Sequence, residues 1–181
     1  MRSRRADAPR QNRRVHSKSG VRATVSLRWV EADSSHAADL AEFCCTSSGE
    51  LFQLEVEWFF QSFAFPPDPP ELKLLLGYDS VGLVTACAWQ FYEAPSEPAM
   101  HYVWALARDN RVRGTDYAFR TLEEVLRRCM AMNDAAGIER GAWAQVNSRN
   151  LASIELLRRS GFSPMWRQSD DEEAWGIELS F

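Results

Sequence analysis

Hydrophobic residues recur along this chain with two periods, and the switches between them mark out its elements. Strand-like alternation runs through ATVSLRWV (23–30), after which Asp33, a suitable N-cap, opens a segment where Ala37, Leu40, Ala41 and Cys44 keep helical spacing. Beyond the Ser-Ser-Gly break at 47–49, ELFQLEVEWFFQSFAF (50–65) sets Leu51, Leu54 and Trp58 on one side of a helix and Val56, Phe59 and Phe63 on another. A helix sticky on both sides is expected to be clamped between elements or to form part of a binding wall. PPDPP (66–70) ends it with a rigid loop. ELKLLLGY (71–78) and LVTACAWQFYE (83–93) flank DSVG (79–82), a hairpin signal, with Leu72, Leu74 and Leu76 alternating before the turn. APSEPA (94–99) is a second turn, and the apolar MHYVWALA (100–107) reads as a central strand.

The clearest helix follows. In TDYAFRTLEEVLRRCMAMND (115–134), Ala118, Leu122, Val125, Cys129 and Met132 make one stripe, with Glu123–Arg127 and Glu124–Arg128 as supporting pairs four residues apart. GAWAQVN (141–147) is a strand, 148–160 a short amphipathic helix, and EAWGIELSF (173–181) a closing strand. The order is strand, helix, helix, three strands, helix, strand, helix, strand, which predicts a mixed α/β sheet with a hairpin side and a crossover side. The segment 101–147 should be a right-handed crossover. In such sheets ligands settle beyond the carboxyl ends of strands, beside helix N-termini.

At 181 residues, 45% of them hydrophobic, the chain suits one packed domain, expected over 23–181. No run approaches the roughly 20 apolar residues that span a bilayer, so no membrane partner is expected. Residues 1–22 hold eight cations against Asp7, a charge of +7 that leaves −11 for the rest of a chain whose net charge is −4. This basic tail is expected to be disordered. It has no apolar stretch of a secretory signal, although an Arg-rich transit peptide would also look like this. An acidic body argues against nucleic acid as a partner except through the tail. The four cysteines and three histidines show no metal-ligand spacing, and Cys44, Cys45, Cys87 and Cys129 are expected to be reduced thiols of a cytoplasmic protein. The preference for Arg over Lys hints at a GC-rich, bacterial source.

Chemistry concentrates at two places. ALARDNRVRGTDYAF (105–119) is a strand-to-helix turn, whose free backbone N–H groups at the positive end of a helix favour anions. Gly114 permits close backbone approach, and Arg111 and Arg113 add positive charge. VNSRNLASIELLRRSGF (146–162) starts a helix with Asn150 and stops it with Gly161-Phe162.

Together these resemble the GNAT superfamily of N-acetyltransferases, from about residue 23 to the C-terminus. The family's acyl-CoA loop, R/Q-x-x-G-x-G/A, is matched by RVRGTD (111–116) with Asp in the last place, or by RGTDYA (113–118) with Asp116 in place of the central Gly. The second register is preferred because it puts Tyr117, Thr121 and Val125 on the helix face that the family buries. The other signature, Asn-x-x-Ala/Ser-x-x-Leu-Tyr-x-x-x-Gly-Phe, is met by Asn150, Ser153, Leu156, Gly161 and Phe162.

The resemblance implies a mostly antiparallel sheet with one splayed parallel pair, flanked by four helices. It implies acetyl-CoA as co-substrate, with the pantetheine arm against Leu106, Ala107 and Arg108 and the pyrophosphate on the amides of Arg113, Gly114, Thr115, Asp116, Tyr117 and Ala118, near Arg111, Asn150 and Ser153. It further implies direct attack of a primary amine on the thioester, without an acyl-enzyme. The first two helices and the 94–99 loop should line the acceptor site, where Glu50, Glu55, Glu57 and Glu97 would suit a cationic amine. His101 and Tyr102 lie near where the family's catalytic bases occur. Homodimers are frequent in the family, but no stretch here announces an interface. Two positions depart from the pattern: Leu157 stands where many members have a proton-donating Tyr, and Asp116 sets a carboxylate against a pyrophosphate unless it turns away to cap the helix. They motivate an alternative, a non-catalytic GNAT-fold binding module. A third reading, an acetyltransferase toxin acting on aminoacyl-tRNA, is opposed by the acidic body.

Overall fold

Turn chemistry and strand alternation build the first half of the sheet. In a computed structural model that describes residues 26–47, 49–93 and 99–179, Lys73–Tyr78 (β2) and Leu83–Tyr92 (β3) pair antiparallel around the 79–82 turn. There the Asp79 carboxylate accepts the backbone N–H groups of Val81 and Gly82 at 2.8 and 3.1 Å, the side-chain mimicry that makes Asp a turn residue. Leu74 and Leu76 face one core while Leu75 faces another, so β2 is buried on both sides and the alternation reports only one of them. Arg28–Glu31 (β1) flanks β2, and Met100–Arg108 (β4) pairs with β3. The expected start of β1 at 23–25, the tail 1–22 and most of the 94–99 turn fall outside the described residues.

The second half joins through a crossover. β4 leads through a long helix into Ala142–Asn147 (β5), and these two strands form the sheet's parallel pair. Ser163–Arg167 (β6) and Glu172–Ile177 (β7) complete the order β1-β2-β3-β4-β5-β7-β6, mostly antiparallel. β6 is absent from the sequence reading. All five of its residues are exposed, so it is an edge strand with no apolar alternation to betray it.

Helices cover both faces. Asp33 opens the first with a reciprocal cap: its carboxylate accepts the Ser35 N–H at 2.9 Å, and His36 Nδ1 accepts the Asp33 N–H at 3.2 Å. The helix Ala37–Ala41 (α1) stops short of the expected Cys44, because Phe43 leaves the helical path to enter the core. Leu51–Gln61 (α2) is covered on one side only: Phe60 is buried and Val56, Phe59 and Phe63 pack beside it, whereas Leu51, Leu54 and Trp58 are exposed. The expected clamp is therefore one-sided. On the opposite face lie Tyr117–Ala136 (α3) and Leu151–Arg159 (α4). α3 buries Leu122, Val125 and Cys129 as its stripe foretold, joined by Tyr117, Thr121, Leu126 and Asn133, with Ala118 and Met132 only half-buried. Glu124 takes both arginines, Arg127 at 2.8 Å and Arg128 at 2.9 Å, so Arg127 turns to Glu124 rather than to Glu123.

Burial pushes the Cys129 thiol up to about 12 and that of Cys87 higher still, which suits inert core residues. Among the described residues, no helix is long and apolar enough to cross a membrane.

The sheet leaves no room at one glycine. A Cβ at Gly77 would stand 2.5 Å from the Trp29 ring and against Thr85 Oγ1, and the Thr85 hydroxyl lies 2.9 Å from that of Thr121, which fixes it. Gly77→Ala is expected to cost about 1–3 kcal/mol of stability, as overpacking does, read as a lower urea midpoint at unchanged slope.

Candidate active site

Two neighbouring strands that should pair along their length do not. β4 and β5 are in register only at His101↔Ala142, Tyr102↔Trp143 and Val103↔Ala144. The cause is local. Opposite Trp89 and Ala88 of β3 stand Val103 and Ala105, so Trp104 is an extra residue, a bulge that bends β4 and inverts its facing. Val103 belongs to the core under α3, whereas Ala105 and Ala107 belong to the core under α1 and α2. β5 meanwhile continues to Asn147 against β7. Past Val103, the edge of β4 that faces β5 therefore presents backbone groups with no ladder partner.

Below this edge lies the turn into α3. The buried Asp109 carboxylate accepts the Arg111 N–H at 2.8 Å and pairs with its guanidinium at 2.9 Å, while Arg111 also donates to the Leu83 carbonyl at 2.6 Å. Arg111 is thus spent on holding the loop. Gly114 adopts φ +78°, and a Cβ there would meet nothing within 4 Å, so its backbone is open to approach. Asp116 is the N-cap of α3, but its side chain makes no capping bond; the Tyr117 N–H instead reaches Thr115 Oγ1 at 3.4 Å, and the N–H groups of Ala118 and Phe119 in the first turn are the ones an anion could take. Burial, and then the charge of Arg113, pushes the Arg108 guanidinium down from its ordinary value. Asn150 caps α4 by accepting the Ser153 N–H at 3.1 Å.

These parts enclose a groove with two lobes, of about 420 and 290 Å³. Phe52, Val56, Leu106, Asn150, Ser153 and Leu156 line both. Of the residues singled out from sequence, Leu106, Ala107, Arg108, Arg113, Gly114, Thr115, Asp116, Ala118, Asn150 and Ser153 come together in the larger lobe. Arg111 does not line it, nor does Tyr117, which is buried against Leu27 and Val84 beneath the turn. Tyr102 lines the smaller lobe, where burial, and then the nearby Glu172 charge, raises its hydroxyl above the ordinary range. Leu157 also lines that lobe as a core residue.

The wall opposite is α2, expected from sequence to line the site and doing so through Phe52, Gln53 and Val56. Sequence reasoning missed Cys45 and Ser47 in the corner before α2 and Arg159 at the end of α4, which carry no local signal. Among the acids expected around the acceptor, Glu55 lines the smaller lobe. Glu57 instead accepts the N–H groups of Cys45 and Thr46 at 2.7 Å each; burial alone would raise its carboxyl, but these bonds outweigh it and hold it low. Its task is to fold the 45–46 corner. Glu50 is exposed and lines neither lobe, and Glu97 is outside the described residues.

No protein-family model matches the chain, and no curated protein matches its sequence. Solved structures do match. A mutant of the AtaT toxin bound to the C-terminus of the antitoxin AtaR and acetyl-CoA is similar with a TM-score of 0.64 at 14% identity, over 85% of this chain and 94% of that one. The acetyltransferase of GNAT family from Streptococcus pneumoniae reaches 0.58 at 20% identity, over 86% of this chain and all of that one. A Desulfovibrio desulfuricans protein described as a GNAT-family acetyltransferase reaches 0.63 at 11% identity, also over 86% of this chain and all of that one. The fold is that of the GNAT acetyltransferases, with four helices and one parallel pair of strands, as the two motifs implied.

His101 stands apart from the groove. It is buried, its Nε2 lies 3.0 Å from Asn133 Oδ1, and among the described residues Nδ1 has no hydrogen-bond partner. Burial lowers its pKa, the Asn133 bond opposes this, and Arg140 adds to the lowering. Because the unfolded chain then binds a proton more readily than the folded one, stability should fall as pH drops below the ordinary histidine value of about 6.5. Urea melts at pH 7.5 and 5.5 should show that loss in the parent protein and a flatter dependence in His101→Gln.

Proposed function

We propose that this chain transfers an acetyl group from acetyl-CoA to a primary amine by direct attack of the amine on the thioester. The observation that carries the reading is the unpaired β4 edge standing directly above an open helix N-terminus flanked by Arg108 and Arg113. The residues present fit such a co-substrate. Amide groups of an extended arm would find strand-like partners at Leu106–Arg108, and a diphosphate would take the open amides around Gly114. Its thioester supplies an activated acyl carbon. β4-edge donors near Leu106 would stabilise the developing oxyanion, as fixed dipoles do best where water is excluded. The amine lone pair forms the C–N bond, the C–S bond breaks, the nitrogen gives up a proton to solvent, and the thiolate takes one up. Leu157 can donate none. Tyr102, which lines the smaller lobe and carries an O–H, is the group we assign to that donation, and His101 has no place in it.

Leu157 and the uncapped Asp116 also motivate the second reading, a binding module without catalysis. Asp116 adds negative charge to a lobe meant for phosphates. Calorimetry with acetyl-CoA should therefore show Asp116→Asn binding about five- to tenfold tighter than the parent and Arg113→Ala about tenfold weaker. In an acetyl-transfer screen across amines, Tyr102→Phe should lower kcat by about 10²-fold at unchanged KM for acetyl-CoA, since a proton donated only in the transition state does not aid binding. No heat at millimolar acetyl-CoA would remove the transferase reading and favour the binding module, which acts through a partner and needs no co-substrate.

A further inference from the structure

Helices α3 and α4 cover one face of the sheet, whereas on the other face α1 and α2 pack over β2, β3 and the far part of β4 only. The second half of that face carries no helix of the described residues. On β5, Ala142, Ala144 and Val146 enter the core under α3 and α4, so Trp143 between them points the other way. Its β7 partner is Gly176, where a Cβ would strike Met165 of β6, and the Trp166 ring lies 5.9 Å from that of Trp143 across the small Ala174. Tyr102 stacks on Trp143 at 4.2 Å from the β4 side, and the Trp104 ring lies 4.7 Å from that of Tyr102. Rings thus pave the bare half of the sheet from β4 to β6. Trp104, Met165 and Trp166 are each nearly half exposed.

A second apolar surface stands beside it, also unmatched. Leu51 and Trp58 lie four residues before and three after Glu55, which lines the smaller lobe together with Trp104, so this row of α2 borders the paved face. Leu51 is 74% and Trp58 71% exposed, although an apolar row on a helix is normally what a fold buries. From Leu51 to Trp58 is about 10 Å of helix, and the rings step 4.2 and 5.9 Å from Tyr102 to Trp166, so row and pavement agree in length. With Leu54 included, the exposed parts of the two surfaces amount to roughly 700 Å², more than scattered surface residues leave open and close to the ~800 Å² that each partner gives to a stable interface. Glu55 aside, these residues are aromatic, Leu or Met, the composition of an interface centre.

We infer that a second copy of this chain covers the face, the Leu51–Trp58 row of each protomer seating on the Trp143–Trp166 pavement of the other in a two-fold, isologous interface. Reciprocity selects a second copy over a foreign partner. A foreign partner accounts for either surface alone but not for their match, whereas a closed pair requires both on one chain, side by side and equal in length. The inference is independent of acetyl transfer, although Glu55 and Trp104 bring the smaller lobe to the seam. No stretch of sequence announces the interface because α2, β4, β5 and β6 assemble it jointly.

Sedimentation equilibrium of the full chain should give twice the chain mass at micromolar concentration. Trp58→Ala and Trp166→Ala should each weaken the dimer about 100-fold with unchanged circular dichroism, because a substitution in a two-fold interface acts twice. Val81→Ala, at a residue 77% exposed in the 79–82 turn, should change nothing. Mixing the two tryptophan variants should tighten association about tenfold over either alone, since the mixed pair loses one row-on-pavement contact and keeps the other whole. A parent that stays monomeric at about 100 µM overturns the inference and leaves the face to the chain's own basic tail or to a foreign protein. A dimer that either tryptophan substitution leaves intact, or a mixture no tighter than its components, places the interface elsewhere and overturns it equally.

Discussion

The parting of β4 from β5 after three paired residues is the constraint on which the rest of the molecule turns. A strand in mid-sheet normally spends its backbone groups on both neighbours, and leaving one side unpaired is costly unless another partner supplies the bonds. Here the bulge at Trp104 makes the departure unavoidable. Once an extra residue is inserted, β4 can no longer keep both its register with β3 and its course beside β5. The pair with β3 wins, because eight matched positions hold that side. What remains is a wedge-shaped gap, open toward the N-termini of α3 and α4 because those helices begin where β4 and β5 end.

The walls of the wedge are held by buried polar contacts more than by apolar packing. Asp109 receives the main chain of its own loop, its backbone N–H reaches the Val84 carbonyl at 2.8 Å, and Arg111 is drawn in beside it. The Asn110 N–H reaches the Cys44 carbonyl at 2.9 Å, and its amide side chain donates to the Thr46 carbonyl. Glu57 grips the next two N–H groups of the same segment. The loop before α3 and the corner before α2 are thereby fastened to each other, although more than 60 residues separate them in sequence.

Most of the fold was legible because each element announced its own period. α3 had its stripe, the β2–β3 hairpin had Asp79 and Gly82, and α1 had the Asp33 cap. What escaped was structure without a local signature. β6 shows no alternation because nothing buries it, and α1 ends early because the core's demand for Phe43 overrides helical spacing. The site divided in the same way. Residues within the two motifs, Arg113 to Asp116 and Asn150 with Ser153, reach the groove because strand-to-helix turns place them there. Arg111 falls inside the motif and is nonetheless taken by Asp109, a competition that spacing does not reveal. Cys45, Phe52 and Gln53 come from a segment brought across the groove by long-range bonds and by the packing of Phe60, neither of which spacing reveals.

The six residues common to both lobes have one more effect. With Leu106 and Asn150 as a party wall, whatever settles on one side touches side chains that are also met by whatever settles on the other. The two occupancies are thus energetically linked, and thermodynamics requires the linkage to be mutual and of equal size in either order of arrival. A substitution at any of the six would therefore be felt in both compartments at once.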